Sequence, residues 1–110
     1  MADRVMFVHL KTGYSGDSGP SWISLVRFNR SWKTAHWHGR TLARWQGPDA
    51  NFVDLETDEA YWLSGPKRDR TDARYSHVQP EVDEDVREVY EAFLKGAPLS
   101  GRENGILAPG

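Results

Sequence analysis

Short runs of β-branched and aromatic residues recur about every ten residues along the first two-thirds of the chain, separated by glycine, proline or polar turns. The gaps between successive runs are too short for the crossover that joins parallel strands, so neighbouring runs should pair antiparallel. This pattern predicts a mainly β (α+β) fold, a small antiparallel β-barrel or meander of five to six strands with one C-terminal helix. The predicted strands are residues 4–10, 21–28, 33–38, 40–45, 52–55 and 60–64, with a further short edge strand over 75–78.

Gly39 separates the third and fourth predicted strands and supplies the positive φ that a tight hairpin turn needs. Two registers are compatible with this turn. A turn at His38-Gly39 pairs His36 with Thr41, whereas a turn one residue later pairs His36 with Ala43. The sequence leaves both registers open.

The hydrophobic period changes in the last third of the chain, where apolar residues form one stripe of an amphipathic helix. Acidic residues from Glu81 onward suit the positive end of a helix dipole, and Gly96 suits a helix end. These signals predict a helix over about residues 81–95 in a single domain, residues 1–96, followed by a flexible tail over 97–110. The stripe consists of Val82, Val86, Val89, Tyr90, Phe93 and Leu94.

A chain of 110 residues buries roughly two-thirds of its unfolded surface, so it can form a substantial core. The core is expected to join the strands to the helix, because the apolar stripe of the helix must be covered. The predicted core residues are Val5, Phe7, Ile23, Leu25, Val53, Leu55, Trp62, Val86, Val89 and Phe93.

The composition excludes several classes of protein. Without cysteine, the chain has no disulfide, thiolate metal site, iron–sulfur cluster or cysteine nucleophile. A net charge of -2 excludes a globally basic nucleic-acid binder, although a local basic face stays open. No apolar stretch is long enough to span a bilayer and no secretory signal is visible, so we expect a cytoplasmic protein without membrane contact.

Charge is segregated along the chain. Residues 27–46 hold five basic side chains and no acid, together with Trp32, Trp37 and Trp45, whereas residues 49–59 hold five acids and no base. A basic hairpin with interleaved aromatic rings is typical of proteins that bind single-stranded nucleic acids. The alternative is that the tryptophans fill the core while the arginines pair with the neighbouring acidic hairpin.

These features predict a small, non-enzymatic binding or interaction module. Its contact surface would be the basic aromatic hairpin, residues 27–45, with the charged loop over 67–74 beside it. The partner classes left open are an acidic protein surface, nucleic acid, and a second copy of the chain in a homodimer that weakens with salt. The predicted contact residues are Arg27, Arg30, Trp32, Lys33, Trp37, Arg40, Arg44, Lys67, Arg68 and Arg70.

His36 and His38 form a His-x-His pair, which suggests an enzymatic alternative. On a strand these side chains point to the same face, so both imidazoles could reach one metal ion. A small metal-dependent hydrolase would then need a third ligand; no other cofactor is predicted. The candidates for that ligand are His9, His77, Asp54 and Glu56.

Two hairpin motifs carry a resemblance that covers about residues 20–75. The stretches GRTL at 39–42 and YWLSG at 61–65 resemble those of a group of small uncharacterised bacterial proteins with two successive hairpins. No activity is established for that group, so the resemblance implies no catalytic residues. Some members carry the label 1-deoxy-D-xylulose-5-phosphate synthase. Such a synthase resembles transketolase and needs several large α/β domains to hold thiamine diphosphate, which 110 residues do not provide.

Overall fold

The computed structural model describes residues 2–14, 18–70, 72 and 79–99. Its main strands are β1 (Ala2–Leu10), β2 (Ser21–Phe28), β3 (Thr34–Trp37), β4 (Arg40–Arg44), β5 (Phe52–Asp54) and β6 (Ala60–Ser64). These six strands are antiparallel and run in the order β1-β6-β5-β4-β3-β2, and a ladder between β1 and β2 closes the ring. The prediction of a small antiparallel β-barrel is confirmed.

The β3–β4 hairpin adopts the first of the two predicted registers. His36 pairs with Thr41, which leaves His38 and Gly39 as the two turn residues. Both have positive φ, 49° for His38 and 73° for Gly39. A two-residue turn of this kind matches the right-handed twist of the strands that it joins.

The C-terminal region forms three short elements instead of the single predicted helix. The strand β7 (Glu81–Val82) pairs parallel with β2, a 3-10 turn follows at Glu84–Val86, and the helix α1 spans Arg87–Leu94. The backbone N–H of Asp83 binds the carbonyl oxygen of Ile23 at 2.9 Å. The α-helix starts later than predicted because this contact keeps the chain extended beside β2.

Some predictions fall on residues that the structure does not describe. They are the edge strand over 75–78, the candidate ligand His77 and residues 100–110 of the predicted tail. In the part of the chain that is described, no helix is long and apolar enough to cross a membrane.

The barrel wall separates two apolar clusters. The first fills the barrel and consists of Val8, Val26, Phe28, Ala35, Trp37, Leu42, Phe52, Tyr61 and Leu63. The second joins β1 and β2 to the C-terminal elements and consists of Phe7, Ile23, Val86 and Tyr90, with partly buried neighbours around them. The alternation of side chains along β1 and β2 thus supplies both clusters.

The predicted core is only partly right. Phe7, Ile23 and Val86 are buried, and Val5, Val53, Val89 and Phe93 are half-buried. Leu25, Leu55 and Trp62 are 41%, 61% and 38% exposed, so their assignment to the core is wrong. Leu25 and Trp62 lie on strand positions that point out of the barrel, where the short C-terminal elements do not cover them. Leu55 follows β5 in a turn.

Candidate functional site

Arg40 binds the buried carboxylate of Asp54 inside one end of the barrel. The Nη1 atom of Arg40 donates to Asp54 Oδ2 at 2.8 Å, and the backbone N–H of Glu56 donates to Asp54 Oδ1 at 2.8 Å. Burial alone raises the pKa of Asp54, but these donors outweigh it, so the pKa lies below its ordinary value. Burial also raises the pKa of Tyr61 beside this pair. Arg40, which was predicted to contact a partner, therefore forms an ion pair within the fold.

Arg27 is paired on the outer face of the barrel. Its Nε and Nη2 atoms donate to the two carboxylate oxygens of Asp3 at 2.8 and 3.2 Å, a bidentate contact. The hydrogen bond from Arg27 lowers the pKa of Asp3. Because the β1–β2 ladder places these residues opposite each other, the ion pair supports the sheet.

The charged loop after β6 contacts the end of α1. Arg68 Nε donates to the carbonyl oxygen of Phe93 at 2.9 Å, and its Nη2 donates to that of Ala97 at 3.0 Å. The guanidinium also lies 4.6 Å from the centre of the Phe93 ring. A cation is favourable at the C-terminal end of a helix, so Arg68 caps α1. Lys67 and Arg70 are exposed.

Trp37 lies in the barrel interior rather than on the predicted contact surface. Its side chain is 3% exposed, and its Nε1 donates to Ser24 Oγ at 2.8 Å. The indole packs against Trp22 and Tyr61 with ring centres 4.9 and 5.4 Å away. These rings fill the barrel at the end that also holds the Arg40 ion pair.

His36 and His38 line one open depression of about 280 Å³ between β2 and β3. His38 Nε2 lies 2.7 Å from Asp83 Oδ2, and Ser24 Oγ donates to the same carboxylate oxygen. In a catalytic triad the serine and the aspartate face opposite nitrogens of the imidazole. Here both lie beside Nε2, and Ser24 is 1% exposed. The cluster therefore ties the C-terminal segment to the barrel and presents no accessible nucleophile.

A metal site needs a third ligand beside the two histidines. Within the ranges that the structure describes, no three His, Asp or Glu side chains are placed to hold a metal ion. The candidate third ligand Asp54 is instead bound by Arg40. Among the described residues the two histidines therefore have no third ligand, and the candidate His77 lies outside the described residues.

Cations and tryptophans meet at the end of the barrel where β1 begins and where β2 and β4 end. We call this surface the basic aromatic end; it consists of Arg4, Arg30, Trp32, Lys33, Arg44 and Trp45. The guanidinium of Arg4 lies 5.8 Å from the Trp32 ring centre, and that of Arg44 lies 5.8 Å from the Phe52 ring centre. The backbone N–H of Arg44 binds the carbonyl oxygen of Lys33 at 2.9 Å. Three separate segments of the chain thus contribute to one surface.

The four cations of this end have no carboxylate partner among the residues described. The ion pairs among the described residues involve other cations, namely Arg27, His38, Arg40 and Arg87. The nearest acids along the chain are Asp3, which Arg27 binds, and Asp49, on the exposed turn after Trp45. A chain with a net charge of -2 therefore carries a local excess of positive charge here.

Asn29 holds the loop between β2 and β3 in one conformation. Its Oδ1 accepts the backbone N–H groups of Lys33 at 3.0 Å and of Thr34 at 3.1 Å. Trp32 adopts φ 63° within this loop, and its ring packs on Phe28 with centres 4.8 Å apart. The loop consequently presents Lys33 and the half-buried indole in defined positions.

Trp45 is 44% exposed, yet the turn that follows holds it in place. Its backbone N–H donates to the carbonyl oxygen of Asn51 at 2.9 Å. The backbone N–H of Gly47 donates to the carbonyl oxygen of Ala50 at 3.1 Å. A β-carbon added to Gly47 would lie 2.6 Å from Cη2 and 2.9 Å from Cε3 of the indole. Because only glycine permits this approach, the ring rests against the backbone while much of its surface faces solvent.

The predicted contact hairpin over 27–45 contains five of the six residues of the basic aromatic end, although Trp45 is not among the contact residues named individually, and it lacks Arg4. The sequence predicts Arg4 only as a strand residue. Its position beside the β2–β3 loop depends on the closure of the barrel, which the sequence pattern does not specify. A signal does exist for Trp45. The turn Gly47-Pro48-Asp49 begins two residues after it, and a glycine at that distance from an aromatic residue allows the ring to pack on the backbone.

Comparisons of the chain with protein-family models, with curated proteins and with solved structures give no match. The resemblance to small bacterial proteins therefore stays a prediction.

Proposed function

We propose that this protein is a non-enzymatic binding module that holds an anionic partner at the basic aromatic end. One observation supports this most directly: four cations without a carboxylate partner among the described residues share one end of the barrel with two indoles. The proposal narrows the surface predicted from the sequence. Arg27, Arg40 and Arg68 are held by contacts within the fold, and Trp37 is buried.

Clustered like charges repel one another, and an anionic partner relieves that repulsion. The chain places its cations here although its net charge is -2. A local positive field of this kind attracts anions and raises their rate of association. The fixed β2–β3 loop lowers the conformational entropy that binding would otherwise remove.

Immobilised heparin tests the proposal as a generic polyanion. We expect the wild-type protein to be retained at low salt, because the cations of the basic aromatic end contact the sulfates. The double variant Arg30→Glu/Lys33→Glu should elute at clearly lower salt. Both side chains are exposed, so the substitution changes charge with little effect on packing.

The matched control is Lys67→Glu/Lys95→Glu, which makes the same change in net charge on exposed side chains outside the basic aromatic end. Its retention should stay close to that of the wild type. The proposal is wrong if the wild-type protein flows through at low salt. It is also wrong if the two double variants lose retention equally, since net charge would then explain the binding.

A further inference from the structure

We infer that the partner of the basic aromatic end is a single-stranded nucleic acid, whose bases stack on Trp45 while its phosphates lie along the four cations. This inference rests on the proposed function and adds the chemistry of the partner. An acidic protein surface needs only the positive charge. A single strand also uses a flat, exposed aromatic ring, since every base has a face that can stack on it.

Trp45 has the properties of a stacking platform. The residue is 44% exposed, and its ring lies against the Gly47 backbone on one side. An exposed indole in water normally samples several rotamers, and binding has to remove that freedom. Backbone hydrogen bonds of 2.9 and 3.1 Å close the turn from Trp45 to Asn51, and the ring packs on Gly47 within this turn, so less of that freedom is left for binding to remove.

The cations share this end of the barrel with Trp45. Arg44 precedes Trp45 in the chain, and the hydrogen bond from the Arg44 backbone places Lys33 next to it on the neighbouring segment. Trp32 adds a second, half-buried indole with the Arg4 guanidinium 5.8 Å from its ring centre. Positive charge interleaved with aromatic rings is the arrangement that follows a phosphate backbone while the bases stack.

A single strand fits this end better than a duplex does. The described segments here are the start of β1, residues 29–33, the end of β4 and residues 45–51; none of them is a helix, and the strands among them belong to the closed barrel. Reading of the major groove uses a helix or a two-stranded ribbon that enters it. The bases of a duplex are also stacked on one another, whereas those of a single strand can turn outward onto a protein ring.

Fluorescence anisotropy with a labelled oligothymidylate of about 20 nucleotides tests the inference at low salt. We expect the wild-type protein to bind this strand more tightly than a duplex of the same length. Trp45→Ala should weaken binding about tenfold or more, because it removes the stacking surface. Gly47→Ala should also weaken binding, since the added β-carbon displaces the indole while the chain keeps its tryptophan.

The matched control is Trp62→Ala. It removes an indole that is 38% exposed on β6, outside the basic aromatic end. Its affinity for the oligothymidylate should equal that of the wild type. Heparin retention of Trp45→Ala should also be unchanged, because all four cations remain. A thermal melt of each variant checks the fold, and if Trp45→Ala does not fold, Gly47→Ala decides.

The outcomes separate the two proposals. Unchanged affinity in the folded Trp45→Ala and Gly47→Ala variants would overturn the inference, as would equal or tighter binding of the duplex. If heparin retention still depends on Arg30 and Lys33 in that case, the proposed function stands and the partner is an acidic protein surface or a second copy of the chain. If heparin retention does not depend on them, both proposals fail.

Discussion

Asp54 anchors the turn between β5 and β6 from inside the barrel. Its side chain is buried. Its Oδ1 accepts a hydrogen bond from the backbone N–H of Glu56 at 2.8 Å, and its Oδ2 accepts one from Nη1 of Arg40. Its carbonyl oxygen also accepts the backbone N–H of Asp58, which has φ 63°. The carboxylate thus accepts a backbone N–H of the turn and neutralises an arginine at one end of the barrel.

We expect Asp54→Asn to lower the free energy of unfolding by about 2 kcal/mol. The amide keeps an oxygen for the turn but leaves Arg40 without its carboxylate. Urea unfolding measures the change. Asp49→Asn is the matched control on an exposed turn, and it should change stability by less than about 0.5 kcal/mol. Equal effects of the two substitutions would contradict the structural role of Asp54.

Stability should fall in acid because the folded pKa values of Asp3 and Asp54 lie below the ordinary value of 3.8. Their carboxylates stabilise the fold above that pH, and the stabilisation is lost as pH drops through the lower, folded values. Asp72, whose pKa burial raises, acts in the opposite direction and reduces the net effect.

The urea midpoint is expected to be lower at about pH 3 than at about pH 6. Asp54→Asn should show a smaller drop between these conditions, because one of the two contributing carboxylates is gone. A midpoint in the wild-type protein that does not depend on pH, or the same drop in the variant, would refute this assignment.

The C-terminal elements are held to the barrel at two points. The backbone N–H of Asp83 donates to the carbonyl oxygen of Ile23, and its carboxylate contacts the side chains of Ser24 and His38. At the other end, Arg68 caps the C-terminus of the helix. The helix α1 has only eight residues, so it is not expected to be stable by itself. Its order therefore depends on these attachments and on the apolar contacts beneath it.

Asp83→Ala should lower the free energy of unfolding by about 2 kcal/mol, because it removes two side-chain contacts at once. Amide hydrogen exchange in α1 should become faster relative to exchange in the barrel strands. Asp85→Ala is the control, an exposed acid two residues later, and should leave both measurements nearly unchanged. Uniform acceleration across the whole barrel would show that Asp83 does not act on the C-terminal elements in particular.

Across the whole molecule, charge is arranged by the closure of the barrel. The cations of the basic aromatic end gather where β1 begins and where β2 and β4 end. The acid-rich stretch over 81–91 belongs to the C-terminal elements on the barrel wall. The molecule therefore has one positively charged end although its net charge is -2.

Binding of the oligothymidylate should weaken with salt although the whole protein is acidic. Four cations that each neutralise one phosphate of a single strand predict a log–log slope of about -3. Arg44→Ala should reduce the slope by about 0.7, and Lys95→Ala, outside the basic aromatic end, should not. A slope near zero in the wild-type protein would mean that phosphates are not held by these residues.

Local chemistry makes much of the fold predictable. The turn at His38-Gly39 and the short connections imply antiparallel pairing, and the stripe from Val82 to Leu94 implies an amphipathic segment. The exact start of the helix was not predictable, because the β2 edge that captures Asp83 is distant in sequence. Leu25 and Trp62 were misplaced for a related reason, since their exposure depends on how much of the barrel wall the helix covers.

The sequence by itself determined the strands, the hairpin turns and the segregation of charge, because turn chemistry and hydrophobic period act over a few residues. Only the tertiary structure decided which charges are neutralised. Arg40 meets Asp54 inside the barrel and Arg27 meets Asp3 across a ladder, whereas Arg4 comes beside Trp32 only because β1 closes the ring. Ion pairing depends on distances of a few ångströms between segments far apart in the chain, and composition carries no information about those distances.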